Sequence, residues 1–295
     1  MGTHLQSVGK IWAVRGIFIV DDWLDAETCR RLMDDGETHC PTSTGRTFHG
    51  GRHYIPNTTD DWRTLVQRSK AWQDLETRLT SPEFLSWIID ELDDHGMDAD
   101  LVPARVYNRR RTAVERLFRG DDRSEAADAG RKMARRLHQA QLGARRRFVY
   151  RWNRLLRRKT VVELLCDYSR ATDGYGRVVH RDSDMRRYVF LLYLNALDDA
   201  ASGGHLDVYR PADDLTQSPA WPNEEQCVHE DSVAPARGRL VVFRNAHDSY
   251  HGVATMKGHG TVRHFVYGGF TQLGGTNPNM TESAGSIPTE FHLYA

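Results

Sequence analysis

The sequence predicts an α+β protein whose C-terminal half is a β-sandwich or barrel. Three observations lead there. Seven segments between residues 161 and 270 read as short strands, split by turn sequences such as ATDG, DDAASGG and PARG. Most gaps between them are too short for a crossover helix, which argues against a parallel sheet. Helical patterning lies before them, in the first 160 residues.

The elements follow in order. IFIV at 17–20 is a short apolar run with β-branched residues, predicted as a strand. It leads into a helix with Asp25 as cap and Leu24, Cys29, Leu32 and Met33 on one face. A second helix opens at Ser81-Pro82-Glu83, where serine caps, proline takes the first helical position and an acid sits in the first turn. Its apolar set is Phe84, Leu85, Trp87, Ile88, Ile89 and Leu92. Residues 104–160 are predicted helical. Met133, Leu137, Ala140, Ala144, Phe148, Trp152 and Leu155 recur at three- and four-residue steps, although Gly143 weakens the pattern. The predicted strands are 161–168, 176–182, 188–195, 205–210, 239–243, 249–256 and 261–270. The stretches 36–60 and 211–236 read as loops, and the tail as polar and irregular. This divides the chain into a strand and helix support (1–103), a basic helical insertion (104–160), a β core (161–272) and a tail (273–295).

Composition narrows the class. Hydrophobic residues make up 39% of the 295 and charged residues 27%, as in a folded globular chain rather than a disordered one. No stretch approaches the ~18 apolar residues of a membrane span, and the first residues lack the apolar run of a secretory signal. Four scattered cysteines (Cys29, Cys40, Cys166, Cys227) form no CxxC pair, against both a disulfide scaffold and a thiolate zinc site. The expected compartment is the cytoplasm. Net charge is zero, but residues 104–160 hold 17 Arg and 2 Lys against 5 acids. That block has three readings: a solvated amphipathic helix facing an acidic remainder, a lid that binds an anionic substrate, or a nucleic-acid surface.

Three H-x-D pairs occur: His180/Asp182, His205/Asp207 and His229/Asp231. With fourteen histidines such a pair is weak alone, and context separates the three. Residues i and i+2 of a strand share a face, so His180 and Asp182 at the end of GRVVHRD can reach one point. A third ligand must come from a distant segment, and NAHDSYHGV offers His247 and His251. Two imidazoles and one carboxylate on one face, with open positions opposite, is the arrangement of non-haem iron(II) oxygenases. Three strands separate Asp182 from His251, as a rolled-up double sheet requires, whereas His229/Asp231 sits in a predicted loop. His180, Asp182 and His251 are therefore the best set. Arg263, twelve residues on, supplies a planar two-pronged partner for the far carboxylate of a chelating keto acid.

The pieces DYSRATDGYGRVVHRDS, RRYVFLLYLN, SGGHLDV, GRLVVF, SYHGV and GTVRHFVYGGF, in that order, resemble the Fe(II)/2-oxoglutarate-dependent dioxygenases, most closely the prolyl-hydroxylase-like branch. The resemblance implies a double-stranded β-helix (jelly-roll, cupin-like) core with flanking N-terminal helices. It implies iron on His180, Asp182 and His251, and the 2-oxoglutarate C5 carboxylate on Arg263. Tyr168 matches a position whose hydroxyl often bonds 2-oxoglutarate; Tyr193 and Asn195 match pocket-lining positions. The implied reaction consumes O2, releases succinate and CO2, and oxidises a substrate C–H bond; ascorbate is a candidate reductant. A carboxylate at 182 favours hydroxylation over halogenation, because related halogenases have a small residue there. The expected substrate is a freestanding, anionic metabolite, with specialised metabolism as the expected setting and no membrane partner. Two other readings stay open: a hydroxylase of protein or nucleic acid docked by the basic block, and a non-catalytic cupin-like barrel that binds a metal or ligand.

Overall fold

The computed structural model describes residues 11–14, 16–41, 46–48, 51–94, 103–108, 160–182, 186–197, 202–212, 219–258 and 260–272. Within these the N-terminal part comprises β1 (Ile11–Val14), β2 (Ile17–Val20), α1 (Ala26–His39), β3 (Arg46–Phe48), β4 (Arg52–Pro56), α2 (Asp60–Arg68), α3 (Lys70–Leu79), α4 (Pro82–Asp94) and β5 (Pro103–Asn108). The remainder is β6 (Thr160–Ala171), β7 (Arg177–His180), β8 (Arg186–Tyr193), β9 (Leu206–Pro211), β10 (Cys227–Val233), β11 (Leu240–Arg244), β12 (Tyr250–Val253) and β13 (Arg263–Gln272).

The helix starts follow their local chemistry. Asp25 Oδ1 accepts from the Thr28 amide at 2.7 Å, and Ser81 Oγ accepts from the Phe84 amide at 3.1 Å. Each satisfies an amide that has no partner within its own helix. Cys29 and Leu32 of α1, and Phe84, Leu85, Ile88, Ile89 and Leu92 of α4, are buried as the periodicity predicts.

The strands form two sheets. The larger runs β1-β2-β11-β8-β13-β6-β4-β3, with β5 also paired to β6; the smaller runs β10-β9-β12-β7. From β6 to β13 the chain passes repeatedly between the two, which makes the core a double-stranded β-helix. Every pairing is antiparallel except β5 with β6. One apolar core lies between the sheets, where Leu191, Val241 and Phe265 meet Leu206, Val208 and Val233. A second lies outside the larger sheet, where Phe190, Leu192 and Val266 meet Trp72, Phe84 and Leu85 of the helices. The larger sheet is thus covered on both faces, and β8 is buried at all eight positions.

Several loop and helix expectations are corrected. The region 36–60 holds the end of α1, β3, β4 and the start of α2. Its polar residues look loop-like but Arg52, His53 and Asn57 are buried, with Arg52 paired to Asp167. The region 211–236 contains β10, whose five central residues are all exposed, so it carries no apolar alternation. His229 and Asp231 accordingly lie in an edge strand, not a loop. The basic block begins as strand β5, parallel to β6, rather than as helix. Residues 109–159, with the apolar stripe from Met133 to Leu155, and the tail 273–295 lie outside the described residues. Among the described residues no helix is long and apolar enough to cross a membrane.

Candidate metal centre and co-substrate pocket

The triad is assembled by strand pairing. β7 and β12 run antiparallel with His180 and His251 as direct register partners, so both imidazoles project from one face of the smaller sheet. Their ring centroids are 4.5 Å apart. Asp182 follows two residues after His180, just past the last paired residue of β7, and reaches the same point. One ligand atom from each of the three lies within 4.8 Å of the others, and all three residues are buried.

The hydrogen bonds decide which atoms face inward. His180 Nδ1 lies 2.9 Å from the Val178 carbonyl, and His251 Nδ1 lies 3.1 Å from the Ser249 carbonyl. A carbonyl only accepts, so each Nδ1 carries the hydrogen and each Nε2 presents a lone pair. Burial, followed by the neighbouring His251, pushes the His180 pKa down to about 3; burial lowers His251 as well. Both imidazoles are therefore neutral, as metal ligation requires. Burial pushes Asp182 up, but Arg186, the two imidazoles and a Tyr267 hydrogen bond outweigh it and hold the carboxyl below its ordinary range. Asp182 Oδ2 is buried without a hydrogen-bond partner, 3.7 Å from His251 Nε2. A buried carboxylate oxygen without a hydrogen bond, beside two imidazole Nε2 lone pairs, fits a divalent cation.

Arg263 opens β13 and is completely buried between the sheets. Its Nη1 donates to the Gly204 carbonyl at 2.6 Å, whereas Nε and Nη2 have no hydrogen-bond partner. Gly204 adopts φ +76°, and a Cβ there would stand 2.9 Å from Leu197 Cδ1, so glycine shapes this wall. The guanidinium lies 4.4 Å from the Phe265 ring centroid and 5.0 Å from that of Tyr193. The Tyr193 hydroxyl is also buried without a partner, and burial raises its pKa, so it stays a protonated donor. Two unpaired cationic N–H groups and a phenol in one enclosed spot fit an anionic carboxylate.

Two of the expected pocket residues have their polar groups engaged in contacts of their own. Tyr168 faces the helices, with its ring 4.9 Å from Trp72 and its hydroxyl 2.8 Å from His264 Nδ1. It packs so closely on α1 that a Cβ at Gly36 would come within 2.5 Å of its ring. Strand parity is the cause: on β6 the neighbours Asp167, Ser169 and Ala171 take the inner face. Asn195 has both amide ends committed, donating to the Val262 carbonyl at 2.8 Å and accepting from the His264 amide at 2.7 Å. It ties the end of β8 to the start of β13 beside Arg263. His247 is exposed in a turn.

Three neighbours of the triad were not picked out from sequence. Tyr267 donates to Asp182 Oδ1 at 2.5 Å, and Arg186 Nη1 lies 3.8 Å from the same oxygen. The half-exposed Trp221 stacks on His180 at 5.0 Å between centroids and 15° between planes. Alternation from Arg263 through Phe265 would have placed Tyr267 inside. Trp221 and Arg186 carried no such signal, because neither shares a strand face with the triad residues in sequence.

Residues 166–270 match the family model described as the 2OG-Fe(II) oxygenase superfamily. The matched stretch contains the triad and Arg263. The family so described uses Fe(II) and 2-oxoglutarate, with O2 as the general requirement of such enzymes, and the triad here is a candidate for the iron. Among solved structures, a prolyl 4-hydroxylase of Phytophthora capsici is 14% identical with a TM-score of 0.47, covering 93% of this chain and 64% of its own. The chain thus spans less than two thirds of that protein. A Trichoplax adhaerens prolyl hydroxylase, solved with a hypoxia-inducible-factor peptide, is 13% identical, with coverage of 87% and 83% and a TM-score of 0.43. The carbocyclase SnoK from nogalamycin biosynthesis is 10% identical, with coverage of 87% and 80% and a TM-score of 0.43. No curated protein sequence matches the chain.

Proposed function

We propose that the protein hydroxylates an unactivated C–H bond of a small-molecule metabolite while converting 2-oxoglutarate and O2 to succinate and CO2. In this reading His180 Nε2, His251 Nε2 and Asp182 Oδ2 hold the iron, and Arg263 with Tyr193 binds the distal carboxylate of 2-oxoglutarate. Bound iron would supply O2 activation coupled to decarboxylation of the keto acid. The chain's own part is positional. The two backbone-tethered imidazoles and Asp182 would hold the metal, and Arg263 would orient the keto acid through its far carboxylate. Burial around Arg263 excludes water from the carboxylate contact and strengthens it. Trp221 covers one face of the His180 imidazole.

The observation that carries this reading is the pair of unpartnered Arg263 nitrogens inside a fully buried side chain. A metal-binding barrel has no use for them, whereas a dicarboxylic keto acid does. The small-molecule reading draws support from the enclosed surroundings of the triad, where Phe243 and Arg186 are buried. The surplus of arginine in 104–160 favours a second reading, in which an anionic macromolecule is the substrate.

The test is anaerobic titration with Fe(II) and 2-oxoglutarate, following the visible charge-transfer band. Wild type should show the band, and Asp182→Ala and Arg263→Ala should weaken it. No band in folded, metal-loaded wild type would overturn the proposal. Succinate release is then screened against pools of metabolites, peptides and RNA; release only with a polymer, abolished by salt, selects the second reading.

A further inference from the structure

Asp182 sits where strand pairing no longer holds the chain, because the β7 ladder ends at His180. A carboxylate at such a point can rotate, and can offer a metal one oxygen or both. Contacts from two other strands restrain it. Tyr267, on the inner face of β13 with Arg263 and Phe265, donates its hydroxyl hydrogen to Oδ1 at 2.5 Å. Arg186, the first residue of β8, brings Nη1 to 3.8 Å of that same oxygen, and its guanidinium lies 4.6 Å over the Tyr267 ring. Both restraints act on Oδ1. Oδ2 has no hydrogen bond, although it is buried and faces His251.

We propose that Tyr267 is a positioning residue that occupies Asp182 Oδ1, so that the carboxylate offers a metal Oδ2 alone. The inference rests on the metal-site reading above and deepens it. Its consequence is a coordination position kept open: an oxygen engaged by a phenol is not available as a second metal ligand. Arg186 supports the arrangement by stacking on the phenol and adding positive charge on the same side. The phenol is one strand-alternation step beyond Phe265, so the β13 segment that brings Arg263 to the co-substrate also braces the iron carboxylate. Co-substrate anchor and metal brace are therefore set by the pairing of a single strand with β6 and β8.

The test uses Co(II) alone with the metal-free protein, so no turnover is needed. Binding is followed by the visible d–d bands in wild type, Tyr267→Phe and Asp182→Ala. Partners of metal ligands typically contribute 10–100-fold in affinity. Tyr267→Phe should bind Co(II) about tenfold more weakly, because the carboxylate is no longer held in place, and the band envelope should shift with the altered carboxylate geometry. A Tyr267→Phe protein with wild-type affinity and wild-type bands overturns the inference, however far its melting temperature falls. Wild type that fails to bind Co(II), or that Asp182→Ala leaves equally tight, overturns the metal-site reading and this inference with it. If Tyr267→Phe does not fold, Arg186→Met takes its place and should shift the Co(II) band envelope, because the phenol loses the cation stacked on it. Unchanged bands in that variant are then the refuting result.

Discussion

Arg263→Met separates stability from function at one residue. Arg263 is fully buried and makes one side-chain hydrogen bond, to the Gly204 carbonyl, while two of its nitrogens have none. Leaving a buried donor unsatisfied costs about 1–3 kcal/mol, and one hydrogen bond to a charged group contributes about 1.5–3 kcal/mol. Methionine fills the stem's volume with a flexible apolar chain and removes both effects. The metal-free protein should gain about 1–2 kcal/mol, a rise of roughly 2–8 °C in melting temperature for a chain of this size. Co-substrate binding should move the other way. Removing one partner of a buried charge pair costs about 2–5 kcal/mol, so affinity for 2-oxoglutarate should fall at least about 30-fold. Thermal melts with Mn(II), and with Mn(II) plus 2-oxoglutarate, check both effects. Mn(II) should raise the midpoint of both proteins. 2-Oxoglutarate at ~100 times its wild-type Kd should add about 2.7 kcal/mol to wild type and far less to the variant. A variant that melts below wild type without ligands, or keeps the full 2-oxoglutarate increment, would refute the reasoning.

Three further outcomes follow from the same geometry. Tyr168→Phe should leave 2-oxoglutarate affinity unchanged and cost about 1 kcal/mol in denaturant unfolding, because it loses only the hydroxyl bond to His264; a loss of affinity above about threefold would return Tyr168 to the pocket. Gly204→Ala should destabilise by about 1–2 kcal/mol and weaken 2-oxoglutarate, because the φ of +76° is strained for alanine and the Arg263-binding carbonyl must shift. In the metal-free protein, stability should fall as pH drops from about 6.5 toward 3. His180 is held at about 3 in the fold but titrates near 6.5 when unfolded, so the unfolded state binds more protons across that window. Lowering of His251 adds in the same direction. So does Asp182, whose depressed pKa makes its contribution vanish as pH falls through the folded value. Urea midpoints at pH 7, 6, 5 and 4 check this. A flat series would show that the triad histidines are not held neutral.

How much of this was legible depends on what surrounds each element. Strand period alone put His180 and Asp182 on one face, and the number of strands before the NAHDSYHGV segment favoured that pair over His205 and Asp207. Capping chemistry at Asp25 and Ser81 located two helices, because a cap is a local hydrogen bond that needs no tertiary contact. β10 was unreadable for the opposite reason: its central residues are solvated, and its pairing with β9 is the only thing that makes it a strand.

Residue types, spacing and strand order predicted a β-sandwich or barrel and singled out His180, Asp182, His251 and Arg263, while the family resemblance supplied the double-stranded β-helix. The residue choices depend on the two-residue period of a strand and on the chemistry of imidazole, carboxylate and guanidinium. Only the tertiary structure decided which face each side of the larger sheet presents. Both faces of that sheet are buried, so an apolar strand such as β8 shows no alternation to say which residues point inward. Tyr168 and Tyr193 look equivalent in sequence, yet one packs on Trp72 and the other stands beside Arg263. The same holds for Asp182 Oδ1, whose partners Tyr267 and Arg186 come from two strands that meet only when the sheet is assembled.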